Sequence, residues 1–144
     1  MIITPDSGIL VRATVRSNGP ARRLIDRIAN DGAHILAISP FVLGEVGKAL
    51  AYSKLQTVLR ITPEEVHAHL ARLRRIARVV EVETGLPVVL NDPKDDPIVY
   101  TAMAAGANIL CTRDRDFYQR NVLAFCRRYG IEVMDELHLL SRLD

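Results

Sequence analysis

The sequence predicts an α/β domain with a central, mostly parallel sheet, and three observations carry that expectation. Short apolar runs alternate with amphipathic helical segments along the chain. No internal repeat, low-complexity tract or linker interrupts the alternation. The length of 144 residues, with 49% hydrophobic and 25% charged residues, suits one ordinary globular core, so a single domain is expected over residues 1–144.

The elements follow in order. Ile2-Ile3-Thr4 is a short strand, and a helical pattern runs from about Ile9 to Val15. Gly19-Pro20 breaks the chain, and Ala21 to Ala29 reads as a helix with Leu24, Ile25 and Ile28 on one side. Asn30-Asp31-Gly32 punctuates before a buried strand, His34 to Ile38. Ser39-Pro40 starts a helix to about Tyr52, with Ser as N-cap and Pro at the first helical position. Thr62-Pro63-Glu64-Glu65 repeats the device and adds a capping box, opening a helix to about Ala77. Val79 to Val82 is a strand, and Asp96-Pro97 opens a helix, N-cap then first position, that Gly106 ends. Strand Asn108 to Cys111, helix Val122 to Tyr129, strand Ile131 to Val133 and helix Glu136 to Leu143 complete the pattern.

Composition removes several classes of function. No apolar run approaches the ~20 residues that span a bilayer, and the start, MIITPDSGIL, has no basic segment before an apolar stretch. A soluble, cytoplasmic protein with no membrane partner is expected. The net charge of +2, from 19 Lys and Arg against 17 Asp and Glu, is too even to prove nucleic-acid binding by itself. Aromatic residues are only 5% and Trp is absent, which weakens any stacking platform for single strands. Cys111 and Cys126 form no CxxC motif and read as free thiols. His67 and His69, two apart on a helix, point to different sides and form no zinc pair. There is no phosphate-binding GxxxxGK[ST] loop and no GxSxG nucleophile elbow.

The remaining signal is in the carboxylates. Sites on open parallel sheets form outside the carboxyl ends of the strands, and Asp6, Asp114 and Asp116 follow strands there, while Asp95 and Asp96 stand where a loop enters a helix. Each also has a plain local reading: Asp6 in a Pro-Asp-x-Gly turn, Asp96 as an N-cap, Asp114 and Asp116 in a solvated charged loop. Glu45 falls between Phe41 and Ala49 inside the apolar arc of its helix, where it needs an Arg partner, a place at the edge of the stripe, or a metal ion. Acids gathered without a cation raise one another's pKa values. Gathered around one, they suit Mg²⁺ or Mn²⁺, which takes oxygen ligands and activates water against a phosphodiester. Arg12 and Arg16 flank Asp6, Arg113 and Arg115 bracket Asp114, and Arg72, Arg75 and Arg78 share spacing on another helix. Each is a surface charge or a phosphate contact, and Arg113 and Arg115 stand best placed for the latter.

Four segments, in order, resemble the PIN-domain family, specifically the VapC-like toxin components of toxin–antitoxin pairs. Asp6-Ser7-Gly8-Ile9-Leu10-Val11-Arg12-Ala13 resembles the family's Asp-Thr-Asn-x-Leu-x-Ser-Ala start, and Ser39 to Glu45 its Ser-x-x-x-x-x-Glu segment. Lys94-Asp95-Asp96-Pro97-Ile98-Val99-Tyr100-Thr101-Ala102 resembles its Asp-Asp helix start, and Gly106 to Phe117 its Gly-Ala-Asp…Thr-x-Asp-x-Asp segment.

The resemblance covers nearly the whole chain and implies a PIN-like three-layer α/β/α domain. It implies a Mg²⁺- or Mn²⁺-dependent endoribonuclease in which Asp6, Glu45, Asp96 and Asp114 are catalytic and metal-binding, with Asp116 a further ligand. Spacing does not separate Asp95 from Asp96; Asp96 is chosen for its place at a helix N-terminus, which favours an anion. Arg12, Arg113 and Arg115 are the expected RNA contacts. An RNA substrate, a cognate antitoxin and a homodimer are the expected partners. Two departures, Pro5 before Asp6 and Gly8 where the family carries Asn, open an alternative: a PIN scaffold with an impaired site that binds protein or RNA. A phosphoryl-accepting receiver domain fits less well, because Asp114 has no evident Lys partner.

Overall fold

Strands Ile2–Pro5 (β1), Ile35–Ile38 (β2), Arg78–Val79 (β3), Ile109–Cys111 (β4) and Glu132–Met134 (β5) form one sheet in the computed structural model, which describes residues Met1–Asp144. The order is β3-β2-β1-β4-β5 and every pairing is parallel. Ile3 stands opposite Leu36 on one side and Ile109 on the other, so the apolar runs of β1, β2 and β4 make the sheet's buried centre.

Eight helices cover the sheet: Ser7–Arg12 (α1), Pro20–Asp31 (α2), Pro40–Leu50 (α3), Ser53–Leu59 (α4), Pro63–Ile76 (α5), Asp96–Ala105 (α6), Arg120–Arg128 (α7) and Glu136–Leu143 (α8). Right-handed crossovers put α1 to α5 on one face, because the chain moves outward from β1 to β3, and α6 and α7 on the other, because it then returns past β1 to β4 and β5. The edge-to-face pair Tyr100–Phe125, 5.7 Å between centroids, joins α6 to α7 on that second face.

The caps read from the sequence are in place. Ser39 accepts the amide of Val42 at the head of α3, and Thr62 and Glu65 close a reciprocal capping box on α5. Three expectations shift. The strand expected over Val79 to Val82 is only Arg78–Val79, because its partner β2 ends at Ile38 and the last bond is Val80 N–H to the Ile38 carbonyl at 2.8 Å. The helix expected to Tyr52 ends at Leu50 and is followed by α4, a helix with no buried residue. Asp96 is not an N-cap: it is the first residue of α6, and Asp95 precedes it.

Between β3 and α6 the chain runs irregularly from Val80 to Asp92, then makes a 3-10 turn at Pro93–Asp95. Side chains of the second face hold this span. Tyr100 donates its hydroxyl to the Leu86 carbonyl at 2.7 Å, Asn121 donates to the Val88 carbonyl at 2.5 Å, and Asp96 accepts the amides of Val88 and Val89 at 3.1 and 2.8 Å. Gly85 is required there, since a Cβ would lie 2.9 Å from the Tyr100 hydroxyl. No helix is long and apolar enough to cross a membrane.

Candidate active site

The strand order reverses between β1 and β4, and in open parallel sheets the crevice at such a point lies beyond the carboxyl ends of the two strands. Asp6 and Asp114 follow those two strands. Asp6 is 7% exposed and caps α1, its Oδ1 accepting the Ile9 amide at 2.9 Å. Its Oδ2 accepts the Thr112 hydroxyl across the crevice, and Thr112 Oγ1 in turn accepts the Asp114 amide at 2.9 Å. One threonine thus fixes both strand-end acids. Burial raises the Asp6 pKa above its ordinary value; the Thr112 and Ile9 bonds and the Arg12 charge oppose the rise, and the Asp114 charge adds to it.

Glu45 lies at the edge of the apolar stripe of α3, not inside it, and Phe41 beside it is exposed. It is half-buried and accepts the Ser7 hydroxyl at 3.4 Å. Burial raises its pKa, Ser7 and Lys48 oppose, and Asp6 and Asp92 add to the rise. Asp95 is affected most: its pKa is pushed up from 3.8 to about 7, by burial first and then by the charges of Asp92, Asp114, Glu45 and Asp6. Five carboxylates from four separate segments therefore share one electrostatic field.

Asp96 has a different setting from the one the helix-terminus argument gave it. It is 6% exposed, and its Oδ1 is occupied by the two amides of the irregular span. Asp96 also lines the open cleft beside Glu45, while Asp95 stands in the field of Asp92, Asp114, Glu45 and Asp6. Asp116 accepts Asn91 Nδ2 at 3.4 Å and is not among the charges that raise Asp6, Glu45 or Asp95. Asp92 is the member that sequence reasoning missed; the acid-rich run Asn91-Asp92-Pro93-Lys94-Asp95-Asp96 was its available signal.

A model of the PIN domain matches residues 5–116, a span that includes all five of these acids. The chain belongs to the PIN-domain family. PIN domains are generally nucleases and typically use divalent metal ions. Two solved structures share the fold. The structure of VapBC2 from Rickettsia felis, bound to a DNA fragment from their promoter, is 17% identical over 94% of this chain and 100% of that one, with a TM-score of 0.59. That of FitAcB from Neisseria gonorrhoeae is 16% identical over 96% and 99%, with a TM-score of 0.53. Comparison with curated proteins finds no match.

The PIN domain's donor set suits a hard cation: all oxygens, mutually repelling, with the Asp95 pKa pushed up to about 7 by burial and then by its acidic neighbours. No three His, Cys, Asp or Glu side chains stand close enough to close on one ion unaided. The fit is to an ion such as Mg²⁺, which keeps several waters and takes only one or two carboxylates directly.

The expected arginines divide. Arg113 Nε lies 2.8 Å and Arg12 Nη2 3.6 Å from Oε1 of Glu136, a glutamate that is 1% exposed, so both turn partly inward. Arg115 has no acidic partner. On the other side of Glu45 an open cleft of about 580 Å³ carries Lys48 and Lys94, two cations the sequence reading did not single out.

Proposed function

We propose that the chain is a single PIN domain over residues 1–144 acting as a metal-dependent endoribonuclease, the toxin of a toxin–antitoxin pair in the cytoplasm. The observation that carries this reading is the gathering of Asp6, Glu45, Asp92, Asp95 and Asp114 at the switch point of the sheet, where burial first and then the neighbouring charges lift Asp95 to about 7. Asp6, Glu45, Asp95 and Asp114 would hold one or two Mg²⁺ or Mn²⁺ ions, with the charge of Asp92 adding to their field. A bound ion supplies a water of lowered pKa and neutralises charge on the phosphodiester. Thr112 holds Asp6 in one orientation, and Arg113 and Arg115 contact the RNA backbone.

The likeness to VapBC2 supports an antitoxin partner that covers this site, and homodimerisation belongs to the same reading. The impaired-scaffold alternative loses its physical basis at Asp6. With Gly8 in place of Asn, the carboxylate still has two firm donors, Ile9 and Thr112, and Pro5 sits at the end of β1 paired only with Cys111 of β4.

Labelled RNA incubated with the protein and Mg²⁺ or Mn²⁺ tests the proposal. Cleavage that stops on chelation, and is lost in Asp6→Asn and Asp95→Asn, is expected. Cleavage that survives chelation, or is undiminished in Asp95→Asn, would refute it.

A further inference from the structure

The outward face of α3 reads Phe41, Gly44, Glu45, Lys48, residues three and four apart and so neighbours along one side of the helix. All four line the 580 Å³ cleft, together with Thr84, Lys94 and the second carboxylate Asp96. That volume lies within the ~300–1,000 Å³ of small-ligand sites. The helix buries its other large apolar side chains, Val42, Leu43, Val46 and Leu50, yet leaves Phe41 37% exposed. The space over Gly44 beside it is open, with nothing within 4 Å of where a Cβ would stand. Neither Lys48 nor Lys94 has an acidic partner within 4 Å.

We propose that this groove seats one unpaired nucleotide of the substrate next to the carboxylates, its base on the Phe41 ring and its phosphate between Lys48 and Lys94. The inference rests on the ribonuclease reading and deepens it by naming the side chains that would hold the strand beside the acids. A π-face, open space beside it and two unpartnered cations are what an unpaired nucleotide requires, and a base inside a duplex cannot present its face to the ring. Low aromatic content argued against a stacking platform; a single ring suffices when it stands in the cleft.

The test uses the full chain in EDTA, where binding is read without cleavage, by fluorescence anisotropy of a labelled unstructured 12-nucleotide RNA and of the same strand in a perfect duplex. Phe41→Ala is expected to weaken single-strand binding about 5- to 100-fold, while Phe41→Tyr, which keeps the ring, stays near wild type. Each of Lys48→Gln and Lys94→Gln is expected to reduce the salt slope, log K against log salt, by about 0.7. Equal single-strand affinity for Phe41→Ala and wild type overturns the proposal. So does a duplex that loses affinity equally in Phe41→Ala, or no measurable RNA affinity at all, the result expected of a groove built for a protein segment. The two readings separate on adding Mn²⁺. Wild-type cleavage with unchanged Phe41→Ala binding removes the groove and keeps the nuclease; weakened Phe41→Ala binding without cleavage does the reverse.

Discussion

Replacing Asp95 by Asn should make the metal-free protein more stable at alkaline pH and leave it unchanged in acid. The fold raises the Asp95 pKa from 3.8 to about 7. Below pH 3.8 the side chain is protonated in both folded and unfolded chains and pH has no effect through it. Between 3.8 and 7 the unfolded chain gives up the proton while the folded one keeps it, so stability falls as pH rises. Above about 7 the carboxylate is charged in both states and the full cost is present. At about 1.4 kcal/mol per pH unit the ceiling is ~4 kcal/mol. Partial exposure to solvent brings a realistic figure to about 2 kcal/mol. Asn removes that cost, and at roughly 2–4 °C per kcal/mol for a domain of this size the Tm should rise by about 4–8 °C. The assay is thermal unfolding of both proteins in EDTA at pH 4 and pH 8. Equal Tm differences at the two pH values, or a variant less stable than wild type at pH 8, would show that the acids do not share a field.

Three further outcomes follow from the same geometry. Millimolar MnCl₂ at pH 7.5 should raise the wild-type Tm, by about 2.7 kcal/mol of stabilisation at a hundredfold excess over Kd, and should raise that of Asp6→Asn far less; an equal rise in both places the ion elsewhere. Thr112→Val removes the donor to Asp6 and the acceptor for Asp114, so RNA cleavage should fall about 10- to 100-fold, with Thr112→Ser recovering most of it; equal activity in the Val and Ser variants would count against the role given to the hydroxyl. Asp96→Ala frees the amides of Val88 and Val89 and should cost about 1.5–3 kcal/mol in urea unfolding, the opposite sign to Asp95→Asn; matching signs would mean the roles of the neighbours are misassigned.

What could be read from the sequence was local. Ser39-Pro40 and Thr62 to Glu65 announce helix starts because a cap is satisfied within four residues of itself. The alternation of strands and helices was equally legible, since burial on both faces of a parallel strand leaves a continuous apolar run. Helix α4 was not, because none of its residues is buried and so no stripe marks it. Glu45 stands at the edge of its stripe, one of the readings its spacing allowed, because the arc around it is open on the Phe41 side. Spacing alone left Asp95 and Asp96 open. Asp96 gives one oxygen to the amides of Val88 and Val89, in an irregular span with no periodic pattern to announce the contact. Asp92 was hidden by the same circumstance, as nothing local says which way its loop folds.

That span, Val80 to Asp92, is pinned largely from outside, by the side chains of Asp96, Tyr100 and Asn121. The last of its residues and the turn after it carry Asp92 and Asp95. Val88 and Val89 are themselves buried in the core, so the acids of this turn are seated by packing as well as by those bonds. Displacing that one stretch would move Asp92 and Asp95 while the strands keep their pairing.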